Sequence, residues 1–322
     1  MNQKRFDVVA LGELLIDFTE NGVTNQGNLL MEANPGGAPC NVLAMLMKLG
    51  KNGAFIGKVG NDTFGKMLKD TLTQVNINTD NLVMDKEIPT TLAFVHTEAN
   101  GDRDFSFYRK PGADMMLREE EISQELIAST RLFHFGTLSM TDQEVAKATK
   151  RAVNIAKEEG CVITFDPNVR LPLWKQEEDI KEAMRFGFNQ CDVLKISDNE
   201  IEFITGTNHY LEGVKQIKQS YPNIKLVLAT LGTNGSFAAY KDMIVNQKAF
   251  LQECTIETTG AGDTFFGVAI NFILDYGIDN LNEKILNKML TYANAGASLI
   301  TTRRGALCVM PMLEEIEDLI KG

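Results

Sequence analysis

Paired cysteines, clustered histidines and long apolar runs are all missing from this sequence. The five cysteines lie far apart with no C-x-x-C, and the three histidines lack the spacing of metal ligands. These scattered thiols argue against a disulfide framework or a zinc site and indicate reduced cysteines. The longest strongly apolar run, residues 265–274, has about half the length of a membrane span. No signal-peptide pattern opens the chain, so we expect a cytoplasmic protein with no membrane partner.

An excess of basic residues is also missing. Lysine and arginine number 32 against 43 aspartates and glutamates, which gives a formal net charge of −11. This balance argues against nucleic acid as a partner, because a polyanion requires a basic surface. Apolar residues make up 44% of the chain and charged residues 23%, as is typical of a folded globular protein. At roughly 150 residues per domain, the length fits about two domains or one large α/β domain.

Short apolar runs alternate with helical patterns along most of the chain. Runs rich in Val, Ile, Leu and Phe predict buried strands at residues 6–11, 53–59, 162–165, 193–196 and 226–231. Helical spacing is found at residues 38–49, 141–159, 178–188, 264–276 and 286–301. No linker or internal repeat divides the sequence. We therefore predict a single α/β domain over residues 1–322, with a mostly parallel central sheet flanked by helices.

One region breaks this alternation. Residues 91–98 and 103–109 alternate apolar and polar side chains around Asn100-Gly101, which is a strong signal for a β-hairpin. Together with strands at residues 14–20 and 29–33, the hairpin predicts a small antiparallel sheet. We expect this sheet to be a lid, formed by about residues 13–35 and 88–112 and inserted in the α/β core. It could cover an active site or serve as a dimer surface.

The most informative motif is TTGAGDTFFG at residues 258–267, which leads directly into an apolar helix. The glycines at positions 260 and 262 leave the backbone open to a ligand, and free N–H groups at a helix start attract anions. An ordinary loop with Asp263 as the helix cap would explain Gly-x-Gly-Asp by itself. The full ten-residue block favours the anion site.

This block resembles the C-terminal signature of the PfkB family, the ribokinase-like sugar kinases. GELLID at residues 12–17, GGAPCNV at 36–42 and GKVGNDTFG at 57–65 resemble other motifs of that family, in the family's order. Three further segments resemble the fructokinases within it. They are FYRKPGAD at residues 107–114, DPNVRLPLW at 166–174 and KISDNE at 195–200.

Two other nucleotide-binding motifs fit the sequence poorly. Residues 60–67 nearly spell a P-loop, but Met67 stands where a serine or threonine hydroxyl would bind magnesium. No G-x-G-x-x-G follows a predicted strand, so the dinucleotide fold of dehydrogenases lacks its motif.

The resemblance implies a ribokinase-like fold and roles for individual residues. Asp263 is expected to act as the catalytic base, with the N–H groups of Gly260, Ala261 and Gly262 forming an anion hole. The residues expected to bind the sugar are Asp17, Gly36, Gly37, Asn41, Arg109, Arg170 and Asp263. The residues expected to bind ATP are Asn168, Lys195, Glu200, Thr230, Gly232, Gly235, Gly260, Gly262 and Asn294.

The resemblance also implies metal ions. Mg²⁺ is expected to accompany ATP, held through water near Asp166 and Glu200 rather than by direct protein ligands. Ser197 stands where many family members carry asparagine, so its role is open. K⁺ activates many family members, and here Glu257 takes the place of a frequent aspartate in the loop concerned.

Single residues also allow plainer interpretations. By position alone, Asp17 and Arg109 could be solvated strand ends, and Asn41 could be a cap in the first helical turn. With the resemblance, Arg109 is expected to reach from the lid to the sugar or its phosphate. We predict ATP-dependent phosphorylation of D-fructose to fructose 6-phosphate. The alternatives are another PfkB kinase, such as a 2-keto-3-deoxygluconate kinase, and a non-catalytic sugar-binding protein. A homodimer through the lid is a further expectation.

Overall fold

The computed structural model of the protein describes residues 4–97 and 103–322. Its strands are β1 (Phe6–Leu11), β2 (Leu15–Val23), β3 (Leu29–Gly36), β4 (Gly53–Gly60), β5 (Asn78–Asp85), β6 (Leu92–Thr97), β7 (Arg103–Tyr108), β8 (Thr130–Gly136), β9 (Val162–Asp166), β10 (Val193–Ser197), β11 (Leu226–Thr230), β12 (Ser236–Tyr240) and β13 (Met243–Gln247). Its α-helices are α1 (Ala38–Lys48), α2 (Thr63–Gln74), α3 (Gln124–Ala128), α4 (Gln143–Glu158), α5 (Glu177–Gln190), α6 (Asp198–Thr205), α7 (Tyr210–Ser220), α8 (Ala261–Tyr276), α9 (Glu283–Ile300) and α10 (Leu313–Lys321).

The larger sheet has the strand order β13-β12-β11-β10-β9-β8-β1-β4-β5 within the described residues. All neighbours from β11 along this order to β5 pair in parallel. Strands β12 and β13 add an antiparallel edge beside β11. One apolar core on one face receives side chains from α1, α2, α8, α9 and α10, and a second core on the other face receives them from α3 to α7. The predicted α/β architecture with a mostly parallel sheet is confirmed. Burial on both faces explains why its inner strands are almost continuously apolar.

The smaller sheet has the order β3-β2-β6-β7. Strand β2 pairs antiparallel with β3, and β6 pairs antiparallel with β7, as predicted. The prediction of a wholly antiparallel sheet is wrong, because β2 and β6 pair in parallel. Parallel neighbours require a long crossover, and here the chain passes through α1, β4, α2 and β5 of the main body between them. The predicted Asn100-Gly101 turn lies outside the described residues.

The parallel strands direct several polar residues to one edge of the larger sheet. Strands β9, β10 and β11 end at Asp166, Ser197 and Thr230, and the carboxyl ends of parallel strands meet at the same edge. Ligands of open α/β sheets bind along this edge. Across the described ranges, no helix combines the length and apolar character needed to cross a bilayer.

Candidate active site

Two cavities meet at the edge where the parallel strands end. The first cavity has a volume of about 370 Å³ and is lined from the smaller sheet by Asp17, Asn34, Val95 and Phe107, among others. The second cavity has a volume of about 570 Å³ and lies against the ends of β10 and β11. Both share the side chains or backbone of Asn168, Arg170, Lys195 and Gly262. The site can therefore hold two ligands on opposite sides of one wall.

The start of α8 lies at this shared wall. Gly260 caps the helix in the left-handed conformation, with φ at 78°, and no side chain caps the N–H groups. A Cβ on Gly260 would lie 2.6 Å from the Cβ of Ala306, and one on Gly262 would lie 2.9 Å from Lys195 Nζ. Position 260 therefore requires glycine, whereas a side chain at position 262 would displace the Lys195 ammonium. The uncapped helix start is the anion-attracting feature that the motif predicted.

The three N–H groups expected to form the anion hole differ in availability. Ala261 donates its N–H to the carbonyl of Thr258 at 3.2 Å. Among the backbone hydrogen bonds of the described residues, none uses the N–H of Gly260 or Gly262 as donor. These two groups therefore form the better candidates for binding an anion, and Ala261 is the weakest of the three.

Asp263 lies in the first turn of α8 and faces the first cavity with only 8% of its surface exposed. It does not cap the helix, so that plainer interpretation is wrong. Its Oδ2 accepts a hydrogen bond from Asn41 Nδ2 at 2.8 Å. Burial raises the pKa of Asp263 above its ordinary value, although this hydrogen bond and the charges of Lys195 and Arg170 lower it in part. Asn41 thus orients the carboxylate that sequence motifs suggest as the base.

Asn41 and the turn before it form the floor of the first cavity. The Asn41 amide is buried, and its Oδ1 finds no hydrogen-bond partner among the described residues. Gly36 leaves the space that the carboxylate of Asp17 occupies, since a Cβ there would overlap Asp17 Oδ2. Gly37 has a φ of 139°, which favours glycine. An acceptor without a partner at the floor of a polar cavity is suited to a hydroxyl donor.

Asp17 projects from β2 into the first cavity, and its predicted role in sugar binding stays a prediction. Burial raises the pKa of Asp17 to about 7, with Arg170 opposing the shift and the carboxylates of Glu257 and Asp263 adding to it. Arg170 is exposed and lines both cavities, and its charge lowers the pKa of both Asp17 and Asp263. The first cavity therefore contains several carboxylates, the exposed cation Arg170 and the buried cation Lys195.

Arg109 is the predicted site residue that the structure does not bring into the cavity wall. Its guanidinium is buried, pairs with Asp114 Oδ2 at 2.6 Å, and donates to Thr141 Oγ1 at 2.7 Å and the carbonyl of Leu138 at 3.0 Å. Leu138 itself lines the first cavity. The interpretation of Arg109 as a solvated strand end is wrong. Its guanidinium supports the cavity wall from behind rather than forming its surface.

Glu13 is a site residue that the sequence reasoning missed. It follows β1, is only 5% exposed, and lines the first cavity beside Asp17. Its Oε1 accepts a hydrogen bond from the N–H of Ala38 at 2.8 Å. The available signal was an acidic residue directly after a buried apolar strand, within a motif already recognised by its glycine and by Asp17.

The predicted nucleotide residues line the second cavity together. Those found there are Asn168, Lys195, Glu200, Thr230, Gly232, Gly235, Gly262 and Asn294, while Gly260 lines the first cavity. Asn168 has a φ of 44°, an uncommon conformation for a residue other than glycine. Asn294 is held by donating to Ser236 Oγ at 2.6 Å and to the carbonyl of Leu290 at 2.7 Å. The structure thus collects nearly the whole predicted set in one place.

Lys195 forms a buried ion pair beneath the shared wall. Its Nζ lies 2.9 Å from Asp166 Oδ2. Burial lowers the pKa of Lys195, but the carboxylates of Asp166 and Glu200 raise it by more, so the ammonium stays charged. Its position against Gly262 brings this charge to the start of α8.

The carboxylates near the second cavity suit a metal ion that is coordinated mainly by phosphate oxygens and water. Within residues 4–97 and 103–322, no cluster of three or more metal-ligating side chains occurs. Glu200 accepts hydrogen bonds from the N–H of Val169 and from Ser197, each at 2.9 Å. The Ser197 hydroxyl and Glu200 form a capping box at the start of α6, which gives Ser197 a structural role. Phosphate oxygens and water would have to complete any coordination shell.

Comparison with known proteins agrees with this site. A family model described as "pfkB family carbohydrate kinase" matches residues 5–311. The chain belongs to this family. The membership predicted from the motifs is confirmed, and the protein is a sugar kinase that transfers phosphate to a hydroxyl group. Among curated relatives, "Probable fructokinase-2" of Arabidopsis thaliana is 39% identical over 94% of this chain and 92% of that protein.

Solved structures of the family share the fold. A fructokinase with bound ATP from Xylella fastidiosa has a TM-score of 0.89 and 28% identity, over 98% of each chain. A fructokinase variant from Vibrio cholerae, bound to fructose, ADP and potassium, has a TM-score of 0.87 and 28% identity over 99% of this chain and 100% of that one. A putative ribokinase II from E. coli, with ATP and Mg²⁺, has a TM-score of 0.85 and 25% identity, over 98% and 99%. The ribokinase-like fold is confirmed.

Proposed function

We propose that this kinase transfers the γ-phosphoryl group of ATP to D-fructose and forms fructose 6-phosphate. One observation carries the proposal: the carboxylate of Asp263 and the uncapped start of α8 lie where the two cavities share a wall. A sugar in the first cavity and the phosphates of ATP in the second would meet there. The fructokinase names of the relatives support fructose as the sugar.

The residues of the shared wall supply the chemistry of the transfer. Asp263, fixed by Asn41, accepts the proton of the attacking primary hydroxyl. The N–H groups of Gly260 and Gly262, together with Arg170, face the charge that develops on the transferred group. This positioning accounts for most of the catalysis, because phosphoryl transfer passes through a loose transition state with little bonding to the protein.

A divalent cation bound to ATP neutralises phosphate charge when it is present. The proposed cation is Mg²⁺, held through phosphate and water near Asp166 and Glu200. K⁺ activation through the loop around Glu257 is a second proposal. Titration of turnover with Mg²⁺, Mn²⁺ and Ca²⁺ after chelation, and with K⁺ against Na⁺, tests both. If turnover in chelator without added divalent ions equals turnover with Mg²⁺, the Mg²⁺ proposal is contradicted. If turnover is equal in K⁺ and in Na⁺, the K⁺ proposal is contradicted.

The charges in the first cavity favour a neutral polyol over a sugar acid. Its walls carry the carboxylates of Glu13, Asp17, Glu257 and Asp263, against the cations Arg170 and Lys195. Lys195 is already paired with Asp166. The carboxylate of 2-keto-3-deoxygluconate would enter this acidic surface at a cost in electrostatic energy, whereas the hydroxyls of fructose find acceptors there.

The decisive experiment measures ADP release with ATP and a panel of fructose, ribose, glucose, tagatose and 2-keto-3-deoxygluconate. We expect the highest kcat/KM with fructose. A higher value for the keto acid would replace fructose by that substrate. Absence of sugar-dependent ADP release from the folded protein would favour the non-catalytic binding alternative.

A cytoplasmic location and a homodimer are further proposals. All five cysteines are free, three of them buried, as suits a reducing compartment. The smaller sheet exposes Val23, Leu29, Leu30 and Tyr108, each more than two-fifths exposed, on its strands or at their ends. A second copy of this sheet would cover them. Light scattering should give twice the monomer mass, and Leu29→Lys should restore the monomer. A monomeric wild-type protein would contradict the dimer.

A further inference from the structure

Glu13 is a buried carboxylic acid in the first cavity that the proposed mechanism does not use. It lies in the β1–β2 connection, four residues before Asp17, and both side chains line this cavity. Only 5% of Glu13 is exposed. Its Oε1 accepts a hydrogen bond from the Ala38 N–H, and in the described parts of the chain no side chain donates to the carboxyl group.

The surrounding backbone fixes this carboxyl group in place. The Ala38 N–H at 2.8 Å orients Oε1. Gly37 packs directly on the peptide of Glu13, because a Cβ on Gly37 would overlap the Glu13 carbonyl oxygen. A carboxylate offers about four acceptor positions, and the N–H groups of Ala38 and of Glu13 itself use at most two of them. Acceptor capacity therefore remains on a rigidly held group in the cavity wall.

The charged neighbours that shift the pKa of Glu13 lie outside the lining of the first cavity. Burial raises the pKa of Glu13 to about 7; its own N–H and that of Ala38 lower it, Asp114 raises it and Arg109 lowers it. Arg109 and Asp114 are saturated by each other and by Thr141 and the carbonyl of Leu138. Neither side chain is among those that line the first cavity. The ion pair therefore supports Glu13 without competing for a ligand.

We propose that Glu13 is a second carboxyl acceptor for the sugar, accepting a hydrogen bond from a ring hydroxyl next to the one bound by Asp17. This assignment rests on the proposed function. A polyol buried with an unpaired hydroxyl loses affinity, so two acceptors on adjacent walls select the configuration of two hydroxyls at once. Glu13 is in this sense a specificity-determining residue.

The test pairs variants of Glu13 with modified sugars. Glu13→Ala and Glu13→Gln are compared with the wild type on fructose and on deoxy analogues that each lack the hydroxyl of the first, third or fourth carbon. Asp62→Ala is the matched control, because Asp62 also accepts a backbone N–H at a helix start, that of Gly65, but lines neither cavity. Melting temperatures and ATP binding without sugar report on folding.

We expect Glu13→Ala to lower kcat/KM for fructose by about 5–150-fold, mainly through KM, the fold-change that corresponds to one unpaired buried group. For one analogue, the kcat/KM of the wild type should be lower than for fructose by a similar factor. The variant should give nearly the same kcat/KM for that analogue and for fructose, because it has no partner for the missing hydroxyl. Glu13→Gln can still accept from Ala38 and carries the same test if Glu13→Ala does not fold. Asp62→Ala should retain the wild-type response to every analogue.

The assignment would be overturned if each analogue lowered kcat/KM by the same factor in the wild type and in both Glu13 variants. Glu13 would then be a support for the Gly37 turn. This outcome differs from a failure of the proposed function. If the wild type does not phosphorylate fructose, the proposed function fails, and the same comparison is made on the sugar that it does phosphorylate.

Discussion

Arg109→Ala is the substitution whose outcome separates a supporting role from direct contact with the sugar. The Arg109 and Asp114 side chains are 3% and 2% exposed, and among the described residues Asp114 retains only Thr91 as a side-chain partner once the guanidinium is removed. Breaking a buried ion pair from one side costs about 3–5 kcal/mol. For a chain of this size, that corresponds to a fall in melting temperature of roughly 4–8 °C. We also expect a higher KM for fructose, because the wall at Leu138 loses its support.

Thermal unfolding and steady-state kinetics on a small set of variants measure both effects. Arg109→Lys should recover part of the stability, because an ammonium can pair with Asp114 but cannot also reach Thr141 and the Leu138 carbonyl in the planar arrangement. The double variant Arg109→Met with Asp114→Asn should be more stable than Arg109→Ala, because no buried charge is left unpaired. ATP affinity measured without sugar should stay unchanged in all of them.

Two results would refute this reasoning. A melting temperature of Arg109→Ala within about 2 °C of the wild type would show that the ion pair contributes little. A large increase in KM for fructose at unchanged stability, with no recovery in the double variant, would instead support the direct sugar contact that the sequence predicts.

Three further predictions concern the shared wall and the first cavity. Asp263→Asn should lower kcat about 10²–10⁴-fold and leave the melting temperature and ATP binding nearly unchanged; a near-normal kcat would exclude it as the base. Gly260→Ala should lower both kcat and stability, because the added Cβ overlaps Ala306. Gly160→Ala, also at positive φ but in open space, should lower the free energy of chemical unfolding by only about 1 kcal/mol. Equal effects of the two substitutions would contradict the steric account. The pKa of Asp17 is raised to about 7, so its protonated form stabilises the native state at low pH and this contribution is lost as pH rises to 7. The unfolding free energy of Asp17→Asn relative to the wild type should therefore increase from pH 4 to pH 7, by at most ~4 kcal/mol, and a flat difference would contradict the shift.

In the larger sheet, the sequence predicted the strands with a continuous apolar run better than the others. Strands β1, β4, β9, β10 and β11 are buried on both faces, so their apolar runs could be recognised without the structure. Strand β5 is at an edge of the sheet and reads NTDNLVMD, and β8 carries Arg131 and His134, so neither shows a continuous apolar run. The direction of β6 relative to β2 depends on a crossover through the main body, which no local pattern contains.

The residues of the site also differ in how well the sequence could predict them. Glycine-rich turns restrict the backbone locally, so Gly37, Gly260 and Asp263 could be located from motifs and then found around the cavities. The partner of a buried charge is a tertiary property. Arg109 looks like a strand end in the sequence, and only packing against Thr141 and Leu138 buries it. For the same reason Glu13 could not be distinguished from an ordinary loop carboxylate.

The charges of the two cavities bear on the proposed role of a metal ion bound to ATP. The first cavity presents the carboxylates of Glu13, Asp17 and Asp263, and Lys195 is paired with Asp166. In the described part of the chain, Arg170 forms no ion pair, so it and the start of α8 face the phosphates as unpaired positive groups. At a separation of 4 Å, like charges near a protein surface repel by about 4 kcal/mol. A phosphate that approaches an ionised Asp263 meets such repulsion unless part of its charge is neutralised, and this supports the proposal of metal-bound ATP as the donor.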